Sequence, residues 1–123
     1  MTVMPQPSET TMNPFQPGVV VLVTLGNPRE KFWGAILAVT PAGLSLRGIE
    51  LASFDDCVSI LKSGEPFSPS AVFFPMHRVE RMELDAPEGM IPSLSQRFTN
   101  QTGLDATVVL TSESFSVRGA NRE

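Results

Sequence analysis

The stretch Val19-Val20-Val21-Leu22-Val23-Thr24-Leu25-Gly26-Asn27-Pro28-Arg29-Glu30-Lys31-Phe32-Trp33-Gly34-Ala35-Ile36-Leu37-Ala38-Val39-Thr40 decides how this chain folds. Its first seven residues are apolar or β-branched on both faces and are bounded by Gly18 and Gly26. A run that short reads as a buried strand rather than a helix. Gly26-Asn27-Pro28-Arg29 is turn chemistry. Lys31 to Thr40 reads as a second strand, with Phe32, Gly34, Ile36 and Ala38 on one face and Trp33, Ala35, Leu37 and Val39 on the other. Two neighbouring strands that are apolar on both faces need cover on both. Gly34, in the middle of the second, marks a sharp bend or a close approach of another backbone.

Working toward the C-terminus, Pro41-Ala42-Gly43 is a turn, and Leu44-Ser45-Leu46-Arg47 starts a third strand that should reach Leu51. Ser53, with Asp56 three residues on, resembles an N-cap with acidic first-turn residues. Phe54, Val58 and Leu61 share a helical face, and Lys62 and Gly64 are stop signals, so a short helix is predicted over Phe54–Ser63. Ala71–Met76 is a fourth strand. Pro75 lacks an amide hydrogen and belongs near a strand end or at a sheet edge. Val79–Leu84 is a fifth strand. Ser93 and Gln96 form a capping box that opens a second helix, with Leu94 and Phe98 as its apolar stripe and Gly103 as its stop. Ala106–Leu110 reads as a sixth short strand.

The organisation expected is therefore a disordered Pro-rich leader over 1–18, a barrel over 19–84, a C-terminal helix and an extra strand over 85–112, and a flexible tail over 113–123. The leader holds four prolines and one charge, too little apolar surface to offset its ordering entropy. At 123 residues, with 41% apolar and 18% charged side chains, the chain is of single-domain size and can bury a core without disulfides. Cys57 is the only cysteine. No stretch is apolar enough to cross a membrane as a helix and no secretory signal is visible, so a cytoplasmic protein is expected. The net charge of −4 argues against duplex DNA and anionic membranes as partners. That acidity sits mostly outside the barrel. Residues 19–84 carry six basic against seven acidic side chains, so an arginine patch there is compatible with the pI.

The polar cluster with most chemical character is His77-Arg78-Val79-Glu80-Arg81. His77 can donate to a phosphate and Arg78 can fork onto it; the plainer reading has them bonding backbone carbonyls in a turn. Cys57 would be reactive near a helix N-terminus and inert if buried. Asp55-Asp56 fits helix N-terminal charge better than a cation site. One Cys and one His make no zinc spacing, and no phosphate-binding glycine loop is present, so neither metal nor cofactor is expected. Phe32, Trp33, Phe73 and Phe74 can stack on bases, but no basic residues interleave with them, which favours burial or subunit contact.

Val21-x-Val23-x-Leu25, Phe32-x-Gly34-x-Ile36-x-x-Val39 and Gly43-Leu44-x-Leu46 together resemble the first signature of the Sm/LSm family: three bent strands with a glycine in the middle of the second. Ala71–Met76 and Val79–Leu84, joined by a tight turn, are similar in layout to its second signature. The resemblance covers Val19–Leu84. It implies a mainly β fold: a small, strongly bent, five-stranded SH3-like or Sm-like barrel, here with a short helix between strands three and four and a C-terminal helix. The family's uracil-reading Asp-x-x-Met-Asn loop is replaced by Thr40-Pro41-Ala42-Gly43. Where the second signature has Arg-Gly, this chain has Pro75-Met76-His77-Arg78. His77 is placed like the histidine of the Tyr-Lys-His run in the bacterial Hfq branch, without its Tyr and Lys.

The expectation that follows is a non-catalytic binding or scaffold module that self-associates as a dimer or ring, with Phe73, Phe74, Met76 and Met82 at the interface. The alternative that the resemblance implies is single-stranded RNA binding through Arg47, His77, Arg78 and Arg81. An enzyme would have to rest on Cys57 and His77, which form no known constellation.

Overall fold

A computed structural model describes residues 13–116. The chain is mainly β: a five-stranded antiparallel sheet with a few short helices. The strands are β1 (Val20–Leu25), β2 (Glu30–Thr40), β3 (Gly43–Glu50), β4 (Ser70–Pro75) and β5 (Val79–Leu84), in spatial order β4-β3-β2-β1-β5. The helices are α1 (Phe54–Lys62), α2 (Leu94–Thr102) and α3 (Ala106–Leu110). Short 3-10 turns at Leu51–Ser53 and Met76–Arg78 lead into α1 and β5. β4 and β5 are the sheet's two edges.

The two apolar faces of the sheet build two cores. Val21, Val23, Leu25, Ile36, Leu44, Leu46 and Phe74 pack on one face, here called inner, with Phe32, Val72, Val79 and Met82 at its margin. Trp33 and Ala35 point to the other, outer face, where α1, α2 and α3 cover them with Phe54, Cys57, Val58, Leu61, Phe98, Ala106, Val109 and Leu110. Trp33 stands edge-on to Phe54 at 5.2 Å and tilts against Phe98 at 5.5 Å. The helices are thus the second cover that the two-faced strands require.

Gly34 pairs with Gly48 where β2 crosses β3. A Cβ on Gly34 would lie 2.5 Å from the Arg47 carbonyl oxygen, and one on Gly48 would lie 2.2 Å from that of Trp33. Both positions require glycine because the backbones nearly touch. A bulge between Ile36 and Ala38 follows directly, adding local twist to β2.

α1 buries Phe54, Cys57, Val58 and Leu61, the i, i+3, i+4, i+7 pattern of a one-sided helix. Asp55 and Asp56 lie in its first turn and Lys62 in its last, each favourable to the helix dipole. Gly64, at φ 83°, and Glu65 return hydrogen bonds to Leu61 and Ile60, which closes the helix.

Several boundaries differ from those expected. β3 ends at Glu50, because Leu51 already belongs to the 3-10 turn. Ser53 makes no side-chain cap; that turn feeds the helix directly and leaves Ser53 outside the extended conformation an N-cap needs. β4 begins at Ser70 and ends at Pro75, and Met76 opens the next turn. The strand expected over Ala106–Leu110 is a helix. Asp105 caps it by accepting from the Thr107 and Val108 amides, and Ala106, Val109 and Leu110 are buried at helical spacing. Burial of that face outweighs the strand preference of Val108-Val109.

Of the leader expected over 1–18, the structure describes 13–18. Phe15 packs against the inner core, and the Gly18 amide donates to Ile36 at 2.8 Å. Residues 1–12 lie outside the described residues. In the expected tail, Phe115 exchanges backbone hydrogen bonds with Phe67 at 2.7 Å, and 117–123 lie outside the described residues.

Candidate functional site

The turn between β4 and β5 carries His77 and Arg78 on one 3-10 turn. Arg78 is turned inward. Its Nη1 donates to the carbonyls of Gly26 at 2.6 Å and Pro28 at 2.9 Å, and its Nη2 pairs with Glu30 at 2.8 Å. One guanidinium thus clamps the β1–β2 turn to the start of β5, a use of its planar fork that an ammonium could not repeat. His77 is exposed beside it. Arg81, exposed on β5, pairs with Glu83 at 3.1 Å. Arg47 is half-buried on β3, between Ala35 of β2 and Ala71 of β4. The four residues considered for RNA therefore sit in distinct settings.

Cys57 lies in the outer core, and burial pushes its thiol up to about 11. That is the opposite of an activated nucleophile. Among the described residues no hydrogen bond joins it to His77, and no group of three or more His, Cys, Asp or Glu side chains is placed to hold a metal ion.

The residues considered for subunit contact divide by face. Phe74 is buried in the inner core, its ring 4.9 Å from that of Phe32. Met82 is half-buried at the margin of the same core. Phe73 points to the outer face and is 53% exposed, and Met76 is 37% exposed in the turn that follows. Phe73 lies on β4, beyond the part of the sheet that the helices cover, so it has no helix above it. β4 itself, Ser70-Ala71-Val72-Phe73-Phe74-Pro75, contains no charged residue. Among the described residues, its partner in the sheet is β3.

Two features were not foreseen. Asp85, the residue just past β5, holds the outer core together. Its carboxylate accepts from Trp33 Nε1, from the Leu94 and Ser95 amides and from Ser95 Oγ. The signal available was an aspartate just ahead of a capping box. The other is an open groove of about 780 Å³ between the 87–92 loop, α2 and the start of α3, walled in part by Met90, Ile91, Gln96 and Asp105. Met90 is 99% exposed at its rim. Comparison of the chain with protein-family models, curated proteins and solved structures finds no match.

Proposed function

We propose that this chain is a small Sm-like barrel acting as a non-catalytic binding or scaffold module, and that it self-associates through its free strand edges. One observation carries the reading. β4 is a six-residue edge strand without a charge, and it bears a half-exposed phenylalanine. Edge strands in monomers are ordinarily protected by charge, by proline, by bulges or by a covering element, and of these β4 has only Pro75, at its very end. The edge-to-edge strand order and the glycine crossing of β2 and β3 agree with the Sm-like resemblance. A buried thiol with a raised pKa argues against Cys57 as a nucleophile. Single-stranded RNA is the less supported partner, because Arg78 spends its guanidinium on Gly26, Pro28 and Glu30 and Arg81 faces Glu83.

Native mass spectrometry of the full chain tests this reading. The expected spectrum holds a species of at least twice the 13.3 kDa subunit mass. A monomer throughout the micromolar range overturns self-association, and co-purifying nucleic acid would shift the reading to RNA binding.

A further inference from the structure

We propose that two copies of this chain join through their β4 edges in an antiparallel, two-fold pairing that sets Ala71 of each opposite Phe73 of the other. This rests on the self-associating reading and adds to it the edge, the partner and the register.

The main chain dictates the register. The Met76 amide donates to the Ala42 carbonyl at 2.9 Å, and the β3–β4 pairing runs Leu44↔Phe74 and Leu46↔Val72. Along an antiparallel strand, successive residues turn their N–H and C=O groups to opposite sides. Val72 and Phe74 therefore spend theirs on β3, in phase with the Met76 amide. Ala71, Phe73 and Pro75 present theirs to the free side. Pro75 has no N–H. The free side is thus complete in donors and acceptors only at Ala71 and Phe73.

Those two residues complement each other across a two-fold axis. The Ala71 amide meets the Phe73 carbonyl of the second copy, the Phe73 amide meets the Ala71 carbonyl, and the axis repeats both. One neighbouring register that keeps inner and outer faces matched sets Phe73 opposite Phe73. It also sets Ala71 opposite Pro75, and leaves the Ala71 carbonyl without a donor. Pro75 thus excludes this register, and Pro69 excludes in the same way the one that sets Ala71 opposite Ala71 and Phe73 opposite Pro69. Side chains allow the register that sets Ala71 opposite Phe73: the Phe73 ring lies over Gly43 of β3, on the side of β4 away from the free edge, the small Ala71 shares its outer face, and Val72 meets Val72 at the axis on the inner face. Among the described residues, the bridge between Phe67 and Phe115 stops short of β4 and leaves this edge open.

Charge argues for β4 against β4 rather than against β5. β5 carries Glu80, Arg81 and Glu83, with Arg81 and Glu83 paired at 3.1 Å. A β4–β5 junction would crowd those charges against the Phe73 side of β4 and strip them of water, whereas β4 on β4 desolvates none.

The test uses the full chain in sedimentation equilibrium over the micromolar range. Wild type is expected as a dimer. Ala71→Pro removes an amide that points away from β3, so the β3–β4 ladder is kept, which the far-ultraviolet spectrum checks. It should weaken dimerisation by at least about tenfold, because each copy loses a donor and leaves an acceptor unpaired. In a Cys57→Ala background, Val72→Cys should oxidise to a covalent dimer and Phe73→Cys should not, because only the first pair faces itself across the axis within disulfide reach. A folded Ala71→Pro chain that dimerises as tightly as wild type, an assembly larger than a dimer, or cross-linking through Phe73→Cys alone overturns this inference and leaves self-association standing. A wild-type monomer overturns both.

Discussion

Asp85 holds Trp33 and the start of α2 with a single carboxylate: Oδ2 accepts from Trp33 Nε1 at 2.9 Å and from the Ser95 amide at 2.8 Å, while Oδ1 accepts from the Leu94 amide at 2.9 Å. A helix leaves its first amides without internal partners. Here Asp85 takes those of Leu94 and Ser95, and the Ser93 hydroxyl takes that of Gln96. The indole N–H of a fully buried tryptophan is paired by the same group. Asp85→Ala should therefore cost about 2–4 kcal/mol, combining an orphaned indole donor with a lost helix cap. Asp85→Asn keeps one acceptor and should cost about half as much. Urea unfolding followed by Trp33 fluorescence measures both. A loss below about 1 kcal/mol for the alanine variant would show that water replaces the carboxylate.

The Gly34–Gly48 crossing predicts a sharp contrast among glycines. Gly34→Ala would force its methyl against the Arg47 carbonyl and the Gly48 Cα at 2.8 Å, both of them backbone that cannot swing aside. We expect a loss of about 3 kcal/mol or more, enough to unfold a domain of ordinary stability. Gly64→Ala meets open space but sits at φ 83°, so strain alone should cost about 1 kcal/mol. Thermal melts of the two variants should differ accordingly. Equal losses would mean that the two strands can move apart at the crossing.

This crossing also shows what could be read from the residues alone. Gly34 stood out because a glycine interrupts an apolar strand, and the two-faced alternation of β1 and β2 foretold cover on both sides. The capping box at Ser93 and Gln96 needed only local spacing. Phe73 and Phe74 could be assigned to opposite faces, but which one faced out depended on the β3 pairing. Ala106–Leu110 misled because two valines favour a strand, while the burial that makes it helical comes from packing on β2, distant in sequence. Arg78 and Asp85 act on partners some fifty residues away, at Gly26 and Trp33. No local pattern encodes such a contact, so the roles of both emerge only in three dimensions.

Arg78 should prove to be a stabilising residue. Arg78→Lys retains the charge but cannot reach Gly26, Pro28 and Glu30 together, so it should lower stability by about 1–2 kcal/mol. Arg78→Ala should cost somewhat more. Glu30→Gln, which removes only the partly exposed ion pair, should cost under about 1 kcal/mol. Chemical denaturation ranks the three. A lysine variant as stable as wild type would show that the carbonyl clamp contributes little and would free Arg78 for a ligand.

Cys57 predicts the behaviour of the fold in alkali. Burial raises its thiol from 9.0 to about 11. Below pH 9 the thiol is protonated in both folded and unfolded chains, and it leaves stability unchanged with pH. Between pH 9 and 11 the unfolded chain releases this proton while the folded chain keeps it, so unfolding is favoured progressively. Above pH 11 both forms ionise and the slope vanishes. Two pH units of difference correspond to a loss of about 2–3 kcal/mol across that window. The chain has no tyrosine, so no phenol titrates alongside. Urea midpoints taken at intervals from pH 8 to 11 should fall in wild type. In Cys57→Ala they should start lower, because a small cavity opens beneath α1, and then stay nearly level. An equal decline in both proteins would place the alkaline sensitivity elsewhere in the chain.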